Sequence, residues 1–380
     1  MRNSGLRQAR TRLWPGVVPR DGVDRRNWLV RGGRLALLVG ALAASGMAIG
    51  GTKPSTVDLR AGPIVVDAQP ITAFDRLSPN NVRFGKLTWR GGLVLTSPAK
   101  NFGGWSGLLL DAGGHGFFSI SDAGTWMSGH LDYDDAGKPV GLSSVRLGPI
   151  ESVAGTPRLR KRDRDAEGVA LLDGTLERGS VLIAFERNHR IARFEVDDKG
   201  LSEARSFVPL PPGAERMSSN GGFEALAVLH GGPNKGSLVA ISERLRDSDG
   251  NHIGWMWVKG EPRQFQLTNG GDFDVTDAAP LPDGGLLVLE RRFRWEEGVK
   301  LRLRLIKQHQ LQPGATIDGE SLLEADTSRE IDNMEGLAVH VGPGGDIIVT
   351  MISDDNFNHG LQRTILLQFA LSAGALAASD

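Results

Sequence analysis

The chain of 380 residues contains no cysteine, which excludes disulfide bonds, thiolate catalysis, cysteine-ligated zinc, iron–sulfur clusters and a lipidated cysteine anchor. Several catalytic signatures are also missing: there is no G-x-S-x-G nucleophile elbow, H-E-x-x-H zinc motif, P-loop or dinucleotide-binding glycine fingerprint. No segment has the apolar periodicity of a long amphipathic helix. Glycine is abundant instead, with 51 residues, which is nearly double its usual share. Because no collagen period accompanies them, these glycines predict many tight turns and an all-β fold.

Residues 1–51 differ in composition from the rest and predict an export signal. Residues 1–34 contain nine arginines and two aspartates, whereas the chain from Thr52 onward has a net charge of −8. Residues 35–50 form an uncharged run of 16, shorter than the ~20 apolar residues that span a bilayer. The sequence RRNWLV at 25–30 resembles a twin-arginine export motif. An uncleaved N-terminal anchor is the alternative.

The mature chain, residues 52–380, is predicted to be a single domain that is periplasmic or secreted. We expect a monomer without a membrane span. Its negative charge argues against nucleic acid as a partner. A small anionic or phosphorylated molecule is the expected partner.

One sequence pattern recurs five times after residue 100. Each copy has a polar or acidic residue, an apolar strand, a glycine-containing turn, and a second apolar strand that ends in an acid, often followed by arginine. The copies begin at Ser106, Glu167, Glu224, Asp277 and Glu335, which are 61, 57, 53 and 58 residues apart. Repeats of this size, with several short strands between turns, are typical of β-propeller blades.

The repeats therefore predict an all-β propeller with five motif-bearing units, in five or six four-stranded blades. A sixth blade would be a degenerate one near the N-terminus. The last unit lacks an outer strand after 364–371, and we expect 82–89 or 93–97 to supply it. Such closure by an N-terminal strand removes a free sheet edge.

The acids of the repeats are predicted to gather at one end of the propeller. The first strand of a blade lines the central axis, and antiparallel pairing brings its start beside the end of the second strand. Clustered carboxylates need a counter-charge, and hard oxygen ligands suit Ca²⁺. The predicted metal ligands are Glu167, Glu224, Asp277, Glu335, Asp354 and Asp355. The alternative is that these acids cap turns and join blades.

Arginines follow the trailing acids on the same predicted rim. A guanidinium grips phosphate through two parallel hydrogen bonds. The predicted substrate-binding residues are Arg162, from a basic cluster that precedes the second repeat, and Arg187, Arg244 and Arg291. Without a visible nucleophile, the pattern favours direct attack by water, with Glu167, Glu224 and Glu335 as the catalytic carboxylates.

Several of these motifs resemble those of a known family. Residues 165–168 (DAEG), 220–227 (NGGFEALA) and 332–338 (DNMEGLA), together with SDAG at 121–124 and SDDN at 353–356, resemble the phytase-like, "esterase-like activity of phytase" family. The resemblance covers roughly residues 80–370 and implies an exported propeller protein that hydrolyses phosphate esters. Two positions depart from the family's pattern: Ser106 replaces the acid of the first copy, and Asp277 stands where a Glu-Gly would be expected.

The sequence thus predicts an exported, Ca²⁺-assisted phosphoester hydrolase, in which water attacks a phosphate held by rim arginines. Two alternatives remain open. One is a non-catalytic periplasmic propeller that binds a small anion or a protein. The other is a lactonase-like metal hydrolase, which needs a metal but no phosphate clamp.

Overall fold

Antiparallel strands account for nearly all the regular structure. A computed structural model describes residues 52–55, 59–151, 163–372 and 374. The predicted export segment and Arg162 lie outside these ranges. The strands are β1 Gly62–Pro63, β2 Asp67–Ile71, β3 Arg83–Phe84, β4 Leu87–Thr96, β5 Trp105–Leu110, β6 Gly116–Ser121, β7 Thr125–Tyr133, β8 Pro139–Pro149, β9 Ala166–Gly174, β10 Arg178–Phe185, β11 Arg190–Asp197, β12 Gly200–Leu201, β13 Ser206–Val208, β14 Phe223–Val228, β15 Leu238–Arg246, β16 His252–Val258, β17 Glu261–Leu267, β18 Asp274–Pro280, β19 Leu286–Arg294, β20 Gly298–Ile306, β21 Thr316–Ile317, β22 Glu320–Asp326, β23 Asn333–Val341, β24 Ile347–Asp354 and β25 Thr364–Leu371. One turn of 3-10 helix, Ala214–Arg216, precedes β14.

These strands form five sheets, which are the blades of a propeller. Blade I contains β5 to β8 with β1 at its edge, blade II β9 to β13, and blade III β14 to β17 with β21. Blade IV contains β18, β19, β20 and β22, and blade V contains β23, β24, β25, β4 and β2, with β3 beside β4. The innermost strands β5, β9, β14, β18 and β23 contact one another in succession, and β23 returns to β5. The predicted all-β propeller is confirmed, with five blades among the described residues.

An N-terminal strand closes the propeller, as the sequence predicts. Strand β4 pairs antiparallel with β25, so that Leu93 lies opposite Leu366 and Thr364 opposite Leu95. Strand β4 runs through both of the segments predicted for this role. Blade V therefore joins the two ends of the fold, and unfolding either end exposes the edge of the other.

The core consists of five apolar clusters, one between each pair of neighbouring blades. Each sheet is consequently covered on both faces. This explains why the second strand of a blade is a continuous apolar run rather than an alternating one. All eight residues of β24, for example, are buried. No helix within the described ranges is long and apolar enough to cross a membrane.

Candidate functional site

Every innermost strand has a β-bulge near its start, and in four of the five blades the bulged residue is the one that starts the repeat. One residue there has no partner on the second strand, so the pairing register shifts around it. A bulge bends the strand locally and redirects a side chain. The bulged residues are Ser106, Glu167, Glu224, Thr276 and Glu335.

The register corrects the fourth repeat by one residue. The sequence pattern places Asp277 at the leading position, but the bulge places Thr276 there, and Asp277 pairs with Leu289. The trailing position shifts equally, so blade IV presents Arg291 where the other blades present an acid. The trailing residues of the five blades are Asp122, Glu186, Glu243, Arg291 and Asp354. The prediction that the leading position of blade IV is acidic was therefore wrong.

The glycine after several bulges reflects how tightly the innermost strands pack. A Cβ added at Gly168 would lie 2.6 Å from the carbonyl oxygen of Glu224. A larger residue there would push blades II and III apart. The same position in blade IV carries Asp277 in place of glycine, and its side chain is buried against the backbone of the neighbouring strands. The Asp277 carboxylate accepts hydrogen bonds from the amides of Ala278 (2.8 Å) and Leu337 (2.7 Å).

Eight carboxylates gather at the end of the propeller where the innermost strands begin. We call them the acidic rim: Asp122, Asp165, Glu167, Glu186, Glu224, Glu243, Glu335 and Asp354. Two sets of three have oxygen atoms that all lie within 4.8 Å of one another. The first group is Asp165, Glu167 and Glu186, and the second is Glu186, Glu224 and Glu243. Glu186 therefore joins the two groups.

Among the described residues, four cationic side chains form ion pairs with the acidic rim. The Lys53 ammonium lies 2.6 Å from Asp122 Oδ2 and 2.8 Å from Asp165 Oδ1. Arg187 pairs with Asp165 through its Nε. The other two cations are Arg244, 3.2 Å from Glu243, and Arg291, 3.7 Å from Glu335 and 3.8 Å from Glu243. In the part of the chain that the structure describes, eight rim carboxylates thus face four cations, which leaves excess negative charge when all eight acids are ionised.

Burial and mutual repulsion raise the pKa values of the rim acids. Burial and then the neighbouring carboxylates hold the pKa of Glu167 and of Glu224 well above the ordinary glutamate value. Burial raises the pKa of Asp122 to about 6, against the opposing effect of Lys53. Burial likewise raises the pKa of Glu243 to about 7, although two arginines lie beside it. At neutral pH the rim therefore favours either protons or an additional cation.

One buried carboxylate oxygen of the rim lacks a hydrogen-bond donor among the described residues. Asp122 Oδ1 is buried and accepts no hydrogen bond among the described residues. A buried carboxylate oxygen without a donor is costly unless a cation or water satisfies it. Together with the two groups of close oxygens, it makes the rim a suitable ligand set for a hard divalent cation.

The predicted site residues occupy different surroundings. Glu167, Glu224 and Glu335 are brought together at the rim with Arg187, Arg244 and Arg291, and Asp354 lies there also. The other predicted ligands make structural contacts with the backbone. Asp355 accepts hydrogen bonds from the Gly104 amide (3.2 Å) and the Thr364 hydroxyl (3.0 Å), which joins blades I and V.

Sequence reasoning assigned no role to Lys53, Asp165 or Glu186 in metal or substrate binding. Asp165 is the first residue of the DAEG motif of blade II, and Glu186 is the trailing acid of the same repeat. Both could have been chosen by their positions in the repeat. Lys53 is a single basic residue far from any repeat, and its neighbours at the rim are 69 or more positions away. Only the folded chain brings it to Asp122.

The fold and the rim together define a five-bladed β-propeller with a carboxylate-rich end. The chain belongs to the phytase-like family: the family model described as "Phytase-like: Esterase-like activity of phytase" matches residues 100–357. This match includes all of the acidic rim and excludes Lys53. No curated protein matches the chain.

Solved structures with similar architecture share little sequence with this chain. The Dos1 propeller is 11% identical with a TM-score of 0.32, over 80% of this chain and 72% of its own. A phage phi92 endosialidase is 9% identical with a TM-score of 0.36, over 81% of this chain and 58% of its own. A Dyadobacter fermentans protein of unknown function is 12% identical with a TM-score of 0.37, and the match covers 80% of this chain and 99% of that protein.

Proposed function

We propose that this protein is an exported phosphoester hydrolase that works with Ca²⁺. The observation that supports this most directly is the arrangement of the acidic rim, where two groups of close carboxylates lie beside three arginines. Export is supported by the sequence of residues 1–51 alone. Membership of the phytase-like family points to the same class of reaction.

The rim fits a calcium ion by the chemistry of its donors. Ca²⁺ takes 6–8 oxygen ligands in flexible geometry, and carboxylates are its preferred side-chain ligands. Glu167, Glu186, Glu224 and Glu243 would hold it, with Asp165 at the edge of the first group. When bound, Ca²⁺ offsets negative charge on the phosphate and makes water a better nucleophile. Glu335 and Asp354 would add negative potential from the same rim.

The arginines would hold the substrate. The side chains of Arg187 and Arg244 are 46% and 44% exposed, so both guanidinium groups are accessible from solvent. Each is paired with a rim carboxylate, and compensation of that carboxylate by a cation leaves its guanidinium available for a phosphate oxygen. Arg291 is 22% exposed and lies deeper, between Glu243 and Glu335. Its positive charge offsets part of the negative charge of the second carboxylate group.

A rim carboxylate would accept a proton from the attacking water and pass it to the departing ester oxygen. A glutamate with a raised pKa is well suited to accept a proton from water at neutral pH. Of the three predicted catalytic carboxylates, Glu335 lies outside both groups and burial raises its pKa, so it would be the base. The water oxygen bonds to phosphorus, the bond from phosphorus to the ester oxygen breaks, and the proton passes from the carboxylate to the departing oxygen.

The test is phosphate release from phytate and from a simple phosphomonoester, with added Ca²⁺ or with chelator. We expect release that depends on Ca²⁺. Replacing Arg187 and Arg244 together by glutamine should lower it by about 100-fold or more, because each loses a charge-assisted hydrogen bond of roughly 1.5–3 kcal/mol. Arg193→Gln, at an exposed pair with Glu195, is the matched control.

Two other outcomes would replace the proposal. Turnover of a lactone that survives the double arginine substitution would identify a lactonase-like metal hydrolase. Absence of any turnover by folded, Ca²⁺-loaded protein would refute a hydrolase of these substrates. A protein that binds anions or a partner protein would then remain.

A further inference from the structure

A short N-terminal segment, residues 52–55, lies against the acidic rim beside blades I and II. Lys53 is its innermost side chain and contacts both Asp122 and Asp165. Pro54 follows it, and a residue before proline favours an extended backbone. The Ser55 carbonyl accepts a hydrogen bond from the Asn101 side chain at 3.3 Å, which fixes the segment to blade I.

Lys53 remains charged in this position. Burial alone would lower its pKa, but the carboxylates of Asp122, Asp165 and Glu167 raise it above the ordinary lysine value. The ammonium thus performs, for three rim carboxylates, the compensation that a bound metal cation would perform.

The contacts of Lys53 overlap the first group. Asp165 gives one oxygen to Lys53 and the other to Arg187, so both are engaged by cations from this chain. Glu167 of the same group feels the Lys53 charge. The second group has no lysine beside it among the described residues; its neighbours are Arg244 and Arg291. The two groups therefore differ in how a divalent cation would reach them.

We propose that Lys53 is a built-in cation of the acidic rim, which competes with a divalent metal ion for Asp122 and the first group. The inference rests on the metal-binding part of the proposed function and does not require catalysis. A divalent cation would displace the Lys53 ammonium into solvent. The N-terminal segment then sets the concentration of Ca²⁺ at which the first group fills.

The test is calorimetric titration of the full chain with Ca²⁺. Lys53→Met keeps the aliphatic stem and removes the charge, so at least one Ca²⁺-binding event should become about tenfold or more tighter. Lys53→Arg keeps the charge and should remain within about threefold of wild type. Lys86→Met is the matched control, because Lys86 pairs with Glu320 at 2.6 Å away from the rim.

Chemical labelling of wild type gives a second readout that does not depend on a variant folding. In metal-free protein the paired Lys53 amine should react slowly with an amine-selective reagent, and Ca²⁺ should raise its labelling several-fold by mass spectrometry. Lys86 should be unaffected by Ca²⁺.

The outcomes are distinct. Equal Ca²⁺ affinity in wild type and Lys53→Met, or Lys53 labelling that Ca²⁺ leaves unchanged, would overturn the competition while leaving a metal-binding rim. Absence of Ca²⁺ binding by both proteins would overturn the metal itself, and the competition with it. Binding by Lys53→Met alone would support the inference.

Discussion

The stabilisation that Ca²⁺ gives this protein should increase between pH 5 and pH 8. The pKa values of Asp122 and Glu243 are raised to about 6 and about 7, chiefly by burial. A raised folded-state pKa contributes stability at low pH that is lost as pH rises through the folded pKa. Metal-free protein loses this contribution as pH rises. In protein with Ca²⁺, the bound cation takes the place of the protons that the rim carboxyls release.

The magnitude follows from the Glu243 carboxyl alone. At pH 5 a cation must displace the proton from a group whose pKa is about 7. Two pH units correspond to about 2.7 kcal/mol, or roughly 100-fold in Ca²⁺ affinity. At saturating Ca²⁺ this amounts to a melting-temperature difference of roughly 4 °C for a domain of this size.

The assay is thermal unfolding at pH 5 and pH 8, each with Ca²⁺ and with chelator. The quantity compared is the rise in melting temperature caused by Ca²⁺. This difference is needed because burial lowers the pKa of His252 to about 3 and of His340 to about 4. The stability that these two histidines contribute is therefore lost as pH falls below about 6.5, which is opposite to the effect of the rim acids. Their contributions cancel when samples with Ca²⁺ and with chelator are compared at the same pH.

Glu243→Gln tests the assignment to this carboxyl. It should reduce the pH dependence of the Ca²⁺ effect, since glutamine does not titrate. Glu320→Gln, at the exposed pair with Lys86, should leave it as in wild type. A Ca²⁺ effect equal at both pH values, or larger at pH 5, would refute the reasoning.

Three further substitutions separate binding from structural roles. Glu186→Gln should weaken Ca²⁺ binding about 10- to 100-fold by calorimetry, because Glu186 belongs to both groups, whereas exposed Glu195→Gln should change nothing. Glu290→Ala should cost about 3–5 kcal/mol in urea unfolding, because it strands two buried arginines, 302 and 304, that the carboxylate pairs; a loss below about 1 kcal/mol would contradict this. Asp277→Ala should destabilise by about 1–3 kcal/mol through orphaned amides and leave Ca²⁺ affinity intact, and a large loss of affinity would restore Asp277 as a ligand.

The acidic rim is asymmetric, because one blade differs from the other four in charge. Four blades give a serine or glutamate at the bulge and an acid at the trailing position, but blade IV gives Thr276 and Arg291. Arg291 then lies between carboxylates of blades III and V. Blade IV therefore supplies positive charge at the point where the other blades supply negative charge.

The repeat pattern determined the fold because it is local. Each copy carries its own turn glycines and paired apolar strands, so the propeller fold, its five motif-bearing units and the position of the acids at one end follow from spacing. The structure decided between five and six blades and between the two candidate closing segments. Residues such as Glu167 and Glu224 were found in this way, since a bulge at a fixed place in every blade gives the same end of the propeller the same chemistry.

Only the tertiary structure decided which charged side chains lie together at the acidic rim. A one-residue shift of strand pairing reverses the face on which a side chain lies, and the sequence of blade IV fits two registers. The structure selects the one that buries Asp277 against backbone amides and brings Arg291 to the rim. Lys53 shows the same limit at longer range: its contact with Asp122 depends on the path of the whole chain, because electrostatic attraction acts over a few ångströms and leaves no periodic trace in the sequence.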